Sequence, residues 1–300
     1  VFAGGKLGDG TPTTATGIYN AFDHAVQAGV DLPAAKSAIA LGVGASGHVV
    51  YLFGGTDASG VATASVERFD TSVAPAGLLT EIGPFAGFER TGQVALSIGS
   101  ENVLVTGAPI AELSGSTSTV MARNELPSLP ASGATVTASD GIGTAVFAGP
   151  DGVYRFRNNT FDTLAVTSAK RTAAQVVALP GGQIGVACGN DTLARIDAAT
   201  GAETVIANVP SDARTGCAIA ATTTRLVIAG GTDSTGAVIG NAEIFDSATF
   251  APIATQPLAV PRTGATAIPL PNGQILIAGG VDATGAPIAT LELFTPDSPE

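Results

Sequence analysis

The stretch PNGQILIAGGVDATG, residues 271–285, holds three local instructions in a row. Pro-Asn-Gly sets a tight turn, because Gly and Asn accept the positive φ that such turns demand. Gln-Ile-Leu-Ile-Ala is a short, unbroken apolar run, the pattern of a strand covered on both faces rather than one. Two glycines and an aspartate loop then end the strand. The phrase returns as VVYLFGGTDASG at 49–60 and as RLVIAGGTDSTG at 225–236. A chain that repeats a buried strand, a glycine pair and a loop is building one unit several times.

Counting outward from these phrases, the first glycine after each apolar run is Gly4, Gly54, Gly107, Gly149, Gly189, Gly230 and Gly279, at intervals of 50, 53, 42, 40, 41 and 49 residues. That period exceeds leucine-rich and ankyrin repeats and fits one four-stranded propeller blade per unit. The 39 glycines and 18 prolines among 300 residues agree with many short strands joined by turns. The expected fold is all-β: a propeller of four-stranded antiparallel blades, seven favoured and six as the alternative. One domain spans 1–300, with units at about 1–34, 35–87, 88–130, 131–169, 170–212, 213–260 and 261–300. The end units read as incomplete, the first lacking its first strand and the last stopping after three. A flanking strand outside these residues, or a thinner blade, is expected to close the ring.

Within a unit the first strand opens on a basic residue, a hydroxyl and a small residue: Lys36-Ser37-Ala38, Arg90-Thr91-Gly92, Arg171-Thr172-Ala173, Arg214-Thr215-Gly216 and Arg262-Thr263-Gly264. The unit at Ser132-Gly133-Ala134 departs from this. The third strand carries Glu-x-Phe at Glu67/Phe69, Glu243/Phe245 and Glu292/Phe294, two apart and so on one face. Asp23, Asp70, Asp197 and Asp246 begin the turn into the fourth strand, where an Asx side chain can accept from the backbone ahead. The glycine pair reads as structural, since blades converge and a Cβ there would collide with the adjacent sheet. No helix follows it to make a phosphate site.

In this order the residues resemble the kelch repeat in its bacterial, galactose-oxidase-like form, over nearly the whole chain. The resemblance is strongest around Gly54, Gly230 and Gly279 and weakest around Gly107 and Gly149. Kelch blades usually carry a Trp in the fourth strand, and this chain has no Trp. Leu258, Ile253 and Leu79 are expected to supply that packing. The oxidase copper site of such proteins uses two His, two Tyr and a Cys crosslink. Here His24 and His48, with Tyr19, Tyr51 and Tyr154, are scattered and the cysteines fall in other units, so no copper centre, metal or other cofactor is expected.

Composition narrows the partners. Thirteen Lys+Arg stand against 25 Asp+Glu, for a net charge of -12 and a pI near 4.4. That balance argues against nucleic acid and anionic membrane surfaces. No apolar run of 18 residues is present, so membrane insertion is not expected. Low lysine content, acidity and the style of the repeat suggest a secreted or cell-surface bacterial protein, although no signal peptide appears in the sequence and it opens mid-motif on VFAGG.

Candidate binding residues follow from strand alternation. The links between units and the loops from second to third strands share one face, which brings Arg90, Arg171, Arg214 and Arg262 to the level of Asp57, Asp233 and Asp282. Two readings stay open for the arginines: struts paired to Glu or Asp of their own or the next blade, or a ring of guanidiniums gripping a carboxylate-bearing partner. Each Asp loop offers one carboxylate, too few for calcium, so a turn-stabilising role is expected. Long loops near Gly4, Gly54, Gly230 and Gly279, against tight ones at Gly149 and Gly189, predict a raised wall on that face. Cys188 and Cys217 can form an interblade disulfide or stay as buried thiols. Asn158-Asn159-Thr160 and Asn190-Asp191-Thr192 match the glycosylation sequon but read as turns. No G-x-S-x-G elbow is present. The functional expectation is a non-catalytic module that binds a protein or carbohydrate partner through the loop face. A self-assembling structural subunit of a surface assembly is the alternative; a lyase or hydrolase is a further one.

Overall fold

The computed structural model describes residues 1–107, 109–123, 132–137, 143–149, 152–165, 171, 173–207 and 213–296. Seven antiparallel sheets succeed one another along the chain, and the fold is a seven-bladed β-propeller with one short 3₁₀ turn and no α-helix among the described residues. By internal contacts the chain divides into two compact units, Val1–Leu129 and Pro130–Glu300.

The first unit holds three sheets. They are β1 (Phe2–Ala3), β2 (Thr16–Asn20) and β3 (Ala25–Ala28); β4 (Ala40–Val43), β5 (Val49–Phe53), β6 (Val66–Asp70) and β7 (Leu78–Glu81); and β8 (Ala95–Gly99), β9 (Asn102–Val105), β10 (Ile110–Ser114) and β11 (Thr119–Arg123). The second unit holds four. They are β12 (Ser132–Thr137), β13 (Gly143–Gly149), β14 (Gly152–Arg157) and β15 (Thr160–Ala165); β16 (Gln175–Leu179), β17 (Gln183–Ala187), β18 (Thr192–Asp197) and β19 (Glu203–Ala207); β20 (Ala218–Ala221), β21 (Arg225–Ala229), β22 (Asn241–Asp246) and β23 (Pro252–Pro257); and β24 (Thr266–Pro269), β25 (Ile275–Ala278) and β26 (Glu292–Phe294). In each sheet neighbouring strands are sequence neighbours, so each sheet is laid down strand by strand along the chain. The first and last sheets have three strands.

The unbroken apolar runs are explained by what lies on each side. In β5, Val49, Tyr51 and Phe53 pack against Val103, Val105 and Leu113 of the following sheet, while Val50 and Leu52 join Leu32 and Phe69 and face the preceding sheet. In β21, Val227 and Ala229 pack towards Ile275 and Ile277 of the next sheet, while Leu226 and Ile228 pack with Leu193 of the previous one. Period-2 alternation therefore persists, but both faces meet an apolar neighbour and no polar residue is tolerated on either. Each such side chain contributes about 1.5–3 kcal/mol on burial. Of the residues expected to replace the fourth-strand Trp, Leu258 is buried and Leu79 packs beside Phe69. Ile253 is a correction: it is 47% exposed, on the outer face of the edge strand β23, where nothing covers it.

Turn chemistry sets the hairpins. Ser100 and Glu101 join β8 to β9, and Asn158 and Asn159 join β14 to β15, each pair with both residues at positive φ as a twisted two-residue hairpin requires. Asp23, Asp70, Asp197 and Asp246 each accept a backbone N–H two residues ahead, at 3.0–3.1 Å.

Candidate functional site

In antiparallel sheets the links that start each blade and the loops from second to third strand leave from the same end. Among the described residues, that end of the blades is built from two devices that recur along the chain.

The first is the aspartate loop. Asp57 Oδ1 accepts the N–H groups of Ser59 (2.8 Å) and Val61 (2.9 Å). Asp233 Oδ1 accepts the Thr235 and Ala237 N–H groups and the Thr235 hydroxyl, at 2.8, 2.9 and 2.7 Å. Asp282 Oδ1 repeats this with the Thr284 and Ala286 N–H groups and the Thr284 hydroxyl, at 2.8, 3.0 and 2.6 Å. The Thr235 hydroxyl, then the Ala237 and Thr235 amides, hold the Asp233 carboxyl below the usual aspartate range, and the Thr284 hydroxyl and neighbouring amides do the same for Asp282. One carboxylate oxygen is thus committed to shaping each loop. A further loop near Gly4 uses Asp9, whose Oδ1 accepts the Thr11 hydroxyl at 2.6 Å and amide at 2.9 Å. The tight turn expected at Gly149 includes 150–151, which lie outside the described residues.

The second device is the basic residue that opens five of the blades. Arg90, Arg171, Arg214 and Arg262 are only 7, 3, 1 and 1% exposed, and Lys36 is 2% exposed. They lie inside the sheets. Lys36 Nζ meets Glu67 at 2.5 Å, Arg214 pairs with Glu243, and Arg262 reaches Glu292 at 3.5 Å. Arg90 has no carboxylate in this position. Its guanidinium donates to the carbonyls of Phe88, Val105, Thr106 and Pro109 at 2.9–3.3 Å, and the nearby Glu112 is held by Arg123 at 2.5 Å. Arg171 donates to Asn190 Oδ1 and to the Thr192 carbonyl and hydroxyl. Burial pulls Arg171 down to about 10, against the raising influence of Glu203 and Asp191. Asn190, one of the two sequon asparagines, is spent in this network, and Asn158 in a hairpin.

The backbone of the same basic residue ties one blade to the one before. The second glycine of the pair donates to its carbonyl: Gly5 to Lys36 (3.0 Å), Gly55 to Arg90 (2.8 Å) and Gly231 to Arg262 (2.9 Å). A Cβ on the first glycine, at Gly4, Gly54 or Gly230, would collide with that carbonyl oxygen, and all three have φ near +60°. In one blade the position is not glycine. Gly189 donates to the Arg214 carbonyl at 2.6 Å as the second member of a pair, and Cys188, at φ +64°, is the first. Counting from Gly189 is therefore one residue out of register. Cys188 forms a disulfide with Cys217, just ahead of β20 in the next blade, and both are buried within the core between these sheets.

The exposed surface of the loop face is made of what remains. Hydroxyls bridge neighbouring blades, Thr56 to Thr91 at 2.6 Å and Thr232 to Thr263 at 3.0 Å. Thr91 and Thr215 are exposed at the starts of their blades. Carboxylates and hydroxyls, rather than guanidiniums, are presented. The sequence carried a signal for the buried pairs: Glu67, Glu243 and Glu292 follow their basic partners by 31, 29 and 30 residues.

No protein-family model matches this chain, and no curated protein matches it either. Solved structures do. YjhT superposes with a TM-score of 0.62 at 15% identity, covering 87% of this chain and 95% of that one. A fungal alcohol oxidase of the AA5 family, in complex with copper, superposes with a TM-score of 0.74 at 15% identity, covering 99% of this chain and 71% of that one. The likeness is one of fold. For copper the donors here do not fit. His24 and His48 stand in turns of different sheets, Tyr19 is hydrogen-bonded to His24 at 2.9 Å, and both cysteines are in the disulfide. Among the described residues no three His, Cys, Asp or Glu side chains converge.

Proposed function

We propose that this chain is a kelch-type propeller acting as a non-catalytic binding module, whose loop face recognises a protein partner by accepting that partner's cationic and hydrogen-bond-donating groups. The observation that carries this reading is the division of labour between the two repeated devices. The basic residues are inside, so the loops offer the ionised carboxylates of Asp57, Asp233 and Asp282 beside threonine hydroxyls. A net charge of -12 adds long-range attraction for a basic surface. Each loop is held by its own Asp, so little ordering entropy is lost on binding. The Cys188–Cys217 disulfide supports a secreted or cell-surface setting, where such bonds persist.

The test is a combined peptide and glycan array probed with the wild type and with Asp57→Asn/Asp233→Asn/Asp282→Asn. Asn keeps the oxygen that accepts the loop hydrogen bonds and removes only the charge. Retention of basic peptides that weakens with salt and falls at least tenfold in the variant is expected. Retention confined to neutral glycans, or equal for both proteins, would refute the assignment.

A further inference from the structure

The other end of the blades, where first strands turn into second strands, carries a feature that the loop-face reading leaves unused. In the second unit three consecutive turns surround an open cavity of about 440 Å³. Ala178 and Ala221 line it at the ends of β16 and β20, and Pro180, Thr222, Leu270 and Pro271 line it from the turns that follow. No lining residue is charged. In a chain with 38 charged side chains from Lys, Arg, Asp and Glu (13 + 25), an uncharged concavity favours an uncharged occupant.

The walls are turns held by local hydrogen bonds. Gly181 and Gly182 hold positive φ of 72° and 74° behind Pro180. Leu270 and Gln274 close the third turn (2.8 Å), and Gly273 donates back to Leu270 at 3.0 Å. The middle turn is fastened by Thr222, whose amide donates to the Arg225 carbonyl at 2.8 Å and whose hydroxyl accepts the Arg225 amide at 3.1 Å. The Thr223 carbonyl is taken by the Ser247 hydroxyl at 3.1 Å, while the Thr223 side-chain hydroxyl makes no hydrogen bond among the described residues. The result is a preformed apolar cup with one free hydroxyl, in the size range of small-molecule sites, about 300–1,000 Å³.

We propose that this cup binds a neutral, mostly apolar small molecule carrying a single hydrogen-bonding group that meets Thr223. The test uses N-phenyl-1-naphthylamine, a neutral aromatic amine, as a fluorescent probe of the intact chain. Saturable, one-to-one enhancement is expected for the wild type. Ala221→Phe, which fills the cup from its lining, and Thr223→Trp, which obstructs it from an exposed turn position, should each weaken binding at least tenfold. Phe22→Ser, which removes an aromatic 99% exposed in the other unit, should leave it unchanged. The triple Asp→Asn variant should also bind the probe normally, so failure of the loop-face reading and failure of this one are separable. Absence of saturable binding to the wild type, or binding by both filling variants as tight as that of the wild type, would overturn the proposal.

Discussion

Gly230→Ala and Gly279→Ala make the same chemical change at the same place in the repeat, and the structure assigns them different costs. Both glycines have φ near +60°, at +61° and +67°. An L-residue in that conformation loses about 1–2 kcal/mol, a term common to both substitutions. At Gly230 the new methyl would also strike the carbonyl oxygen of Arg262 in the next blade, whereas at Gly279 nothing lies within 4 Å. A backbone oxygen that accepts the Gly231 amide at 2.9 Å cannot withdraw without breaking that bond. Overpacking of this kind costs about 1–3 kcal/mol. The totals are about 2–5 kcal/mol for Gly230→Ala and about 1–2 kcal/mol for Gly279→Ala. Urea unfolding followed by circular dichroism reads the difference as a lower midpoint at unchanged slope. Gly54→Ala, which would strike the Arg90 carbonyl, should follow Gly230→Ala. Equal losses at Gly230 and Gly279 would show that the glycine pair serves only its own turn, and the argument from close blade contact would fail.

Other consequences can be measured alongside. Arg214→Met removes the guanidinium paired with the buried Glu243 and should cost about 3–5 kcal/mol, while Arg214→Met/Glu243→Leu should recover most of the loss in the same unfolding assay. Cys188→Ala/Cys217→Ala opens a link 29 residues apart in sequence and should cost about 3–4 kcal/mol. Cys188→Gly/Cys217→Ala should do better by about 1 kcal/mol, because glycine suits the positive φ at that position. The lowered carboxyls of Asp233 and Asp282 give a stability contribution that is present above the ordinary aspartate pKa and lost as pH falls through their folded values. Thermal melts from pH 5 to pH 2 should therefore fall less steeply for Asp233→Asn/Asp282→Asn than for the wild type.

How much of this was legible in the sequence depends on the kind of force involved. The strands and turns were open to inspection because their causes are local: the Ile275–Ala278 run, the Gly pairs and the Asx residues each announce their own conformation. The incomplete first and last sheets follow from the same count. What the residues left open was which of two places a long basic side chain would take, a buried strut or the loop surface. An arginine beside an exposed loop has every composition-based reason to face water, and only the glutamate some 30 residues later, on the third strand of the same blade, says otherwise. Arg171 lacks even that cue, since Asn190 and Thr192 stand in for the carboxylate. The count at Gly189 falls one residue out of register for a related reason. Positive φ is usually advertised by glycine, and a cysteine bonded to the next blade occupies that position without the usual sign. The uncharged cup is the work of three turns brought together by packing of the first strands, and no single turn encodes it.

Surface reactivity of the arginines tests the account most directly, because the loop-face assignment depends on where those side chains lie. The native protein would be treated with phenylglyoxal and each arginine followed by peptide mass spectrometry, with Arg68, whose side chain is 33% exposed, as the internal standard. Arg90, Arg171, Arg214 and Arg262 should stay unmodified while Arg68 reacts, and all should react once urea unfolds the chain. Modification of those four at the rate of Arg68 in the folded protein would put guanidiniums on the surface and contradict the account.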